Sequence, residues 1–203
     1  MSAKIKSNLS IPARVADGLR WRLGRAGIRI VPFVTVLEGQ SRIDPSLLND
    51  NFEFCALTQD HIGDLIQLEP KDYTEDKLNN WFDAEKICFG LRDGNRLVAK
   101  MWCDLENMFW EPAFRKLKQE EAYLFAAYSD PEYRGQNLAP TLRSACYNAL
   151  RDMGTSTFYS HSEYFNLPAR RFKQKLGGIE KDLQIEFKLF KRWNWTFTAK
   201  RYS

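Results

Sequence analysis

From Tyr123 to Tyr128 the chain reads Tyr-Leu-Phe-Ala-Ala-Tyr, without a charge. An apolar run of this kind predicts a central strand covered on both faces. Pro131 lacks the backbone donor a ladder needs and ends it. Leu142, Ala145, Cys146, Ala149 and Leu150 then recur at helical spacing, predicting a helix from about Leu138 to Met153. Upstream, Phe52–Leu57, Ile87–Arg92 and Arg96–Cys103 read as strands. Asp93-Gly94-Asn95 makes the last two a hairpin, because Asp-Gly supplies positive φ angles. Thr58-Gln59-Asp60 opens a helix through Leu68 that Pro70 ends, and Thr74 caps a second over Glu75–Glu85. Asp104–Glu120 is the least regular stretch, with Met108-Phe109-Trp110 and a short basic helix expected around Phe114–Lys118. Substrate contacts are expected there. Downstream come a strand over Thr155–Ser160 and a helix opened by Asn166 or Pro168 and closed by Gly177-Gly178. Ile179–Phe190 and Trp193–Ala199 alternate as strands.

The N-terminal part has a different pattern. Pro12 opens a helix to about Ala26 with Val15, Leu19, Leu23 and Ala26 on one face. Ile28–Leu37 is a β-branched strand, and Pro32 predicts that it lies at a sheet edge. Residues 1–50 are therefore expected to form a basic helix and strand extension, and residues 51–203 the main domain. Charge supports the division. Residues 1–30 hold seven Lys or Arg against Asp17 alone, and residues 170–203 hold ten against three acids. An anionic partner is expected at one surface, with membrane-surface contact through residues 12–29 among the options.

With 203 residues, 44% of them hydrophobic, the chain can bury a full core. No run approaches the roughly 20 apolar residues of a membrane span, and no signal peptide is visible. Cys55, Cys88, Cys103 and Cys146 are scattered and read as small core residues in a reducing compartment, so the expected location is cytoplasmic. Zinc ligation is not expected, and no nucleic-acid reader motif is visible.

The strand ending at Ser129, the polar loop after it and the helix start at Leu138 together predict an anion site. The first-turn N–H groups have no partner inside the helix, and the helix dipole is positive there. Arg134 adds a bidentate charge. The sequence Asp130-Pro131-Glu132-Tyr133-Arg134-Gly135-Gln136-Asn137-Leu138-Ala139 resembles motif A of the GNAT superfamily of acyl-CoA-dependent N-acyltransferases. Asn137 stands where the middle Gly is usual; Asn tolerates the left-handed conformation better than other non-glycine residues. The run Asn166-Leu167-Pro168-Ala169-Arg170-Arg171-Phe172-Lys173-Gln174-Lys175-Leu176-Gly177 is similar to the family's motif B. The resemblance spans roughly Phe52–Phe197. It implies an α+β, three-layer GNAT-like fold: a mixed, mostly antiparallel central sheet flanked by helices, carrying the N-terminal extension.

The resemblance also implies chemistry. The backbone of about Phe125–Ser129, with Ala127, Tyr128 and Ser129 at its end, would hold a pantetheine arm. Arg134, Gly135, Gln136, Asn137, Leu138 and Ala139 would hold a pyrophosphate, and Asn166 would face the arm. The expected donor is acetyl-CoA or another acyl-CoA. The expected acceptor is a primary amine of a small molecule or amino sugar, and a homodimer is among the expected partners. Many family members place a Tyr in motif B as general acid. The matching residue here is Lys173, with Tyr164 and Tyr159 as nearby substitutes. For the base, Asp104 and Glu106 come first, then Glu163 and His161; a base acting through water would need no side chain. A CoA-binding module without catalysis, or a longer acyl chain on a membrane-associated acceptor, is the alternative.

Overall fold

The computed structural model describes residues 27–39, 46, 48–110, 113–190 and 192–202. The elements in order are β1 (Ile28–Glu38), β2 (Glu53–Leu57), α1 (Ile62–Leu68), α2 (Glu75–Asp83), β3 (Ile87–Asp93) and β4 (Arg96–Asp104). There follow β5 (Asn107–Trp110), β6 (Ala113–Lys116), β7 (Glu121–Ser129), α3 (Leu138–Asp152), β8 (Thr157–Glu163), α4 (Leu167–Lys175), β9 (Ile179–Leu189) and β10 (Trp193–Arg201). One eight-stranded sheet runs β10-β9-β1-β8-β7-β4-β3-β2, and β5 and β6 form a separate hairpin. Among the described strands the β7–β8 pair is parallel and the rest are antiparallel.

Helices cover both faces. Leu65, Leu68 and Leu78 of α1 and α2 pack with Cys88 and Trp102 on one face. Leu138, Leu142, Cys146, Tyr147 and Leu150 of α3 pack with Met101, Leu124 and Phe158 on the other. In α1, α2 and α3 the apolar stripes on which the helices were expected are therefore core positions, because a helix turns one stripe inward, whereas Trp193, Trp195 and Phe197, on which β10 was expected, are exposed.

Two expectations need correction. β1 is not at an edge; it lies inside the sheet, pairing β8 through Phe33↔Glu163 and β9 through Ile28↔Leu189. Pro32 is tolerated because its missing N–H faces the end of β8. A residue's N–H and C=O point the same way in an antiparallel ladder, and the Pro32 carbonyl accepts from Tyr164 N–H at 2.8 Å, one residue past β8. The segment around Phe114–Lys118 is a strand, not a short helix. Phe109 lies opposite Phe114 across the hairpin, and a helix of so few residues has too few internal bonds to offset its nucleation cost. The helix expected over Pro12–Ala26 lies outside the described residues, as does most of the basic segment 12–29.

Candidate active site

β7 and β8 pair only from Glu121↔Thr157 to Leu124↔Ser160. Beyond that point β8 continues along β1 and β7 along β4, so the two strands part. Their facing backbone edges, having no ladder partner in each other, border a slot of about 440 Å³. β7 also bulges there. Lys100 lies opposite Tyr128 and Trp102 opposite Phe125, so Ala126 and Ala127 share the single residue Met101. Ala126 has φ 46°, which is uncommon for a residue with a Cβ. The buried ammonium of Lys100 holds it there, donating to the Ala126 carbonyl at 2.5 Å and to the Tyr73 hydroxyl, and pairing with Glu69 at 2.7 Å. Burial pushes the Lys100 pKa down, against the pull of Glu69.

At the slot's far end the chain turns into α3. Asp130 accepts from Glu132 N–H and pairs with Arg96 at 2.7 Å, fixing the turn at Pro131–Tyr133. Gly135 has φ 85°, and Asn137 stands at φ 58°, ψ 25° as the N-cap residue of α3. Asn49 braces the loop, its amide donating to the Gln136 carbonyl at 3.0 Å. Arg134 through Asn137 are exposed, and Leu138 is buried under the helix start. The first-turn N–H groups of α3 thus follow an open loop that carries the exposed Arg134 guanidinium group.

The floor of the slot is charged and buried. Glu38, at the end of β1, is 1% exposed. It accepts from Ser160 and from Tyr147, the latter at 2.5 Å, and pairs with Arg143 of α3 at 3.4 Å and Lys173 of α4 at 3.6 Å. Burial pushes its carboxyl up, but the two cations and two hydroxyls outweigh that and keep it below the usual carboxylate value. Lys173 donates to Ser160 Oγ at 2.6 Å and to the His161 carbonyl at 2.8 Å. Burial lowers its pKa to about 8, with Glu38 resisting. His161 leaves the opposite face of β8. Its Nδ1 is 3.1 Å from the Tyr123 hydroxyl and its Nε2 3.1 Å from Thr35 Oγ1. Burial and then Lys173 push it down to about 3, so the imidazole is neutral near pH 7. On that face an aromatic wall of Tyr123, Phe125, Phe109 and Trp81 continues from the slot, with ring centroids 5.2–5.6 Å apart.

The sequence model of the acetyltransferase (GNAT) family matches residues 54–178, more than half of the chain. The chain belongs to the GNAT family. No curated protein matches it in sequence. Among solved structures, a GNAT-family acetyltransferase from Colwellia psychrerythraea superposes with TM-score 0.60 at 14% identity, over 80% of this chain and 57% of that one. The ribosomal-protein-S18-alanine N-acetyltransferase from Escherichia coli gives 0.51 at 18% identity, over 62% and 76%. AAC(6')-Iy bound to the bisubstrate analog CoA-S-monomethyl-acetylneamine gives 0.51 at 13%, over 62% and 89%. At such identities these likenesses carry the fold.

In this GNAT domain Ala127, Tyr128, Ser129, Ala139, Asn166 and Lys173 all line the slot. Asn166 also caps α4, accepting from Ala169 N–H at 3.2 Å. The other catalytic candidates lie elsewhere. Asp104 is buried, paired with Lys86, and accepts from the Glu106 and Asn107 N–H groups, so it closes the β4–β5 turn. Glu106 is exposed in that turn. Tyr164 stacks under the Arg170 guanidinium at 4.4 Å. Glu163 and His161, the second choices as base, do line the slot. Glu38, Lys100 and Arg143 were not singled out from the sequence. The signal was parity: Glu38 continues the inward set Val34 and Val36, Lys100 stands two residues before the buried Trp102, and Arg143 precedes Cys146, Tyr147 and Leu150 at helical spacing.

Proposed function

We propose that this GNAT enzyme is an acyl-CoA-dependent N-acyltransferase acting on a primary amine of a small molecule or amino sugar. The observation that carries the reading is the parting of β7 from β8 at a bulge, directly before an open loop at the N-terminus of a fifteen-residue helix. GNAT enzymes take their acyl group from acyl-CoA, and the residues present fit that group. Two unladdered backbone edges suit an arm that carries amides. Gly135 has nothing within 4 Å of a built Cβ, so the loop has room for a phosphate beside its N–H groups.

When bound, acyl-CoA supplies an activated thioester carbonyl. In our reading the backbone of Ala127, Tyr128 and Ser129 orients the arm and Asn166 flanks it. Arg134, Gly135, Gln136, Asn137, Leu138 and Ala139 bind the pyrophosphate. The aromatic wall of Phe125, Phe109 and Trp81 orients the amine and excludes water. We assign proton removal from the amine to Glu163, because it lines the slot on the face of β8 that the wall shares, while His161 is too weak a base near pH 7. Lys173 holds a proton at Nζ within the slot and replaces the family's motif B tyrosine. A homodimer and membrane contact through residues 12–29 stay part of the proposal, to be read by sedimentation and vesicle binding.

The test is calorimetry with CoA and acetyl-CoA, followed by thiol release across a library of amines that includes amino sugars. Micromolar or tighter CoA binding with amine-dependent thiol release is expected. Absence of CoA binding overturns the reading, and binding without thiol release with any amine reduces the protein to a CoA-binding module. Glu163→Gln is expected to lower kcat about 10²–10⁴-fold, the usual contribution of a general base, with CoA affinity unchanged in the same calorimetric titration.

A further inference from the structure

The slot floor has more positive charge than its own residues balance. Among the described residues, Arg143 and Lys173 line the slot and Glu38 faces them both. The other titratable groups packed on this floor are neutral near pH 7: the Tyr147 phenol and the Cys146 thiol by burial, and Cys103 with its thiol pushed up to about 12. Glu163 also lines the slot, but its side chain leaves β8 on the face opposite Ser160, toward the aromatic wall. Two cations therefore share one carboxylate at a place where their side chains are 5–6% exposed. An uncompensated buried cation is costly, so such a surplus points to an anion that arrives with a ligand.

The hydrogen-bond inventory says which cation receives it. Lys173 donates to Ser160 Oγ and to the His161 carbonyl and meets Glu38 as an ion pair at 3.6 Å. Arg143 is less well served. Among the described residues its Nε makes no hydrogen bond and meets Glu38 as an ion pair at 3.4 Å. One Nη faces the Met101 thioether at 2.7 Å, a weak acceptor. A guanidinium presents five donors in a planar fork that matches a carboxylate, and here the fork is under-used in a slot that the Phe125–Ser129 backbone also lines.

This inference rests on the acyl-CoA reading and deepens it. We propose that the acyl group this enzyme transfers ends in a carboxylate, a short dicarboxylic acid joined to CoA through one end, with Arg143 binding the free end. Glu38 is shared by both cations, so neither charge is matched in full, and the unmet Arg143 donors are the ones left for the ligand. An apolar acyl chain of equal length leaves those Arg143 donors desolvated and unmet, which is the stronger source of discrimination.

Succinyl-CoA and butyryl-CoA match in chain length and differ chiefly in the terminal carboxylate, so they are the probes. Calorimetry on the full chain, with CoA alone as reference, is expected to show succinyl-CoA binding about tenfold or more tighter than butyryl-CoA. That preference is expected to persist at high salt, because the pair is buried. Arg143→Met keeps the stem and is expected to erase the preference while CoA itself binds as before. Should that variant fail to fold, the wild-type comparison still decides. CoA binding with butyryl-CoA equal to or tighter than succinyl-CoA overturns the acidic acyl group and leaves the acyltransferase reading standing. No binding of CoA overturns both.

Discussion

Asn137 carries a left-handed backbone, φ 58° and ψ 25°, at the entry to α3. A β-branched side chain there is strained by about 1–2 kcal/mol, whereas glycine is relaxed. Asn137→Val is expected to lower the thermal midpoint and weaken CoA binding; Asn137→Gly is expected to do neither. Arg134→Ala is expected to cost about 1–3 kcal/mol of CoA affinity by calorimetry, with no change in the thermal midpoint, since the side chain is exposed. His161 gives a pH dependence with a definite sign. Its pKa falls from 6.5 to about 3 on folding, so between those values the unfolded chain binds a proton that the folded chain refuses. Stability is complete above pH 6.5 and falls as the pH drops through that window, by about 2 kcal/mol at pH 5. Denaturant unfolding of the wild type against His161→Gln, between pH 7 and 5, is expected to show the wild type losing more. At this scale the sequence was legible where a residue type has one backbone use, as at Asn137. It was not legible at Arg143, whose inward position showed only as a charge at apolar helical spacing.

Among elements, β7 and α3 were readable because their apolar patterns are long and unbroken. The β7 bulge was not, because Ala126-Ala127 has no glycine or proline to mark it. What holds the bulge is distant in sequence: Lys100 on β4, with Tyr73 and Glu69 from the segment that follows α1. Lys100→Met removes the donor that holds the Ala126 carbonyl in the bulge. The expected result is a drop in kcat larger than the loss of CoA affinity, because the pyrophosphate loop is untouched while the backbone beside the reacting carbonyl relaxes. Steady-state kinetics set beside calorimetry checks the split; equal losses in both would assign Lys100 to general stability instead. Pro32 misled the reading of β1 for a local reason. Proline excludes a ladder donor, but the sequence does not say where the neighbouring strand stops.

On the scale of the molecule, the site is assembled from parts that the chain keeps far apart. Glu38 comes from β1, before the family match begins, and meets Ser160 across 122 positions. Glu38→Gln leaves two buried cations without their carboxylate and is expected to destabilise the fold by about 3–5 kcal/mol, seen as a lower denaturant midpoint. Removing residues 1–38 takes an interior strand from the sheet and is expected to give a chain that does not fold cooperatively, judged by its thermal transition. Removing residues 1–26 leaves β1 and its two ladders in place and is expected to preserve a cooperative transition.

The position of β1 also bears on how the chain is made. Residues 28–38 are synthesised well before both strands that flank them, Thr157–Glu163 and Ile179–Leu189, which follow more than a hundred residues later. A growing chain therefore carries a β-branched, apolar segment with no lateral partner until those strands are made. The sheet can close only after β9 has emerged, so its final step joins contacts of very long sequence separation, which folding theory makes slow. Until then the segment is open to pairing with its like on another chain.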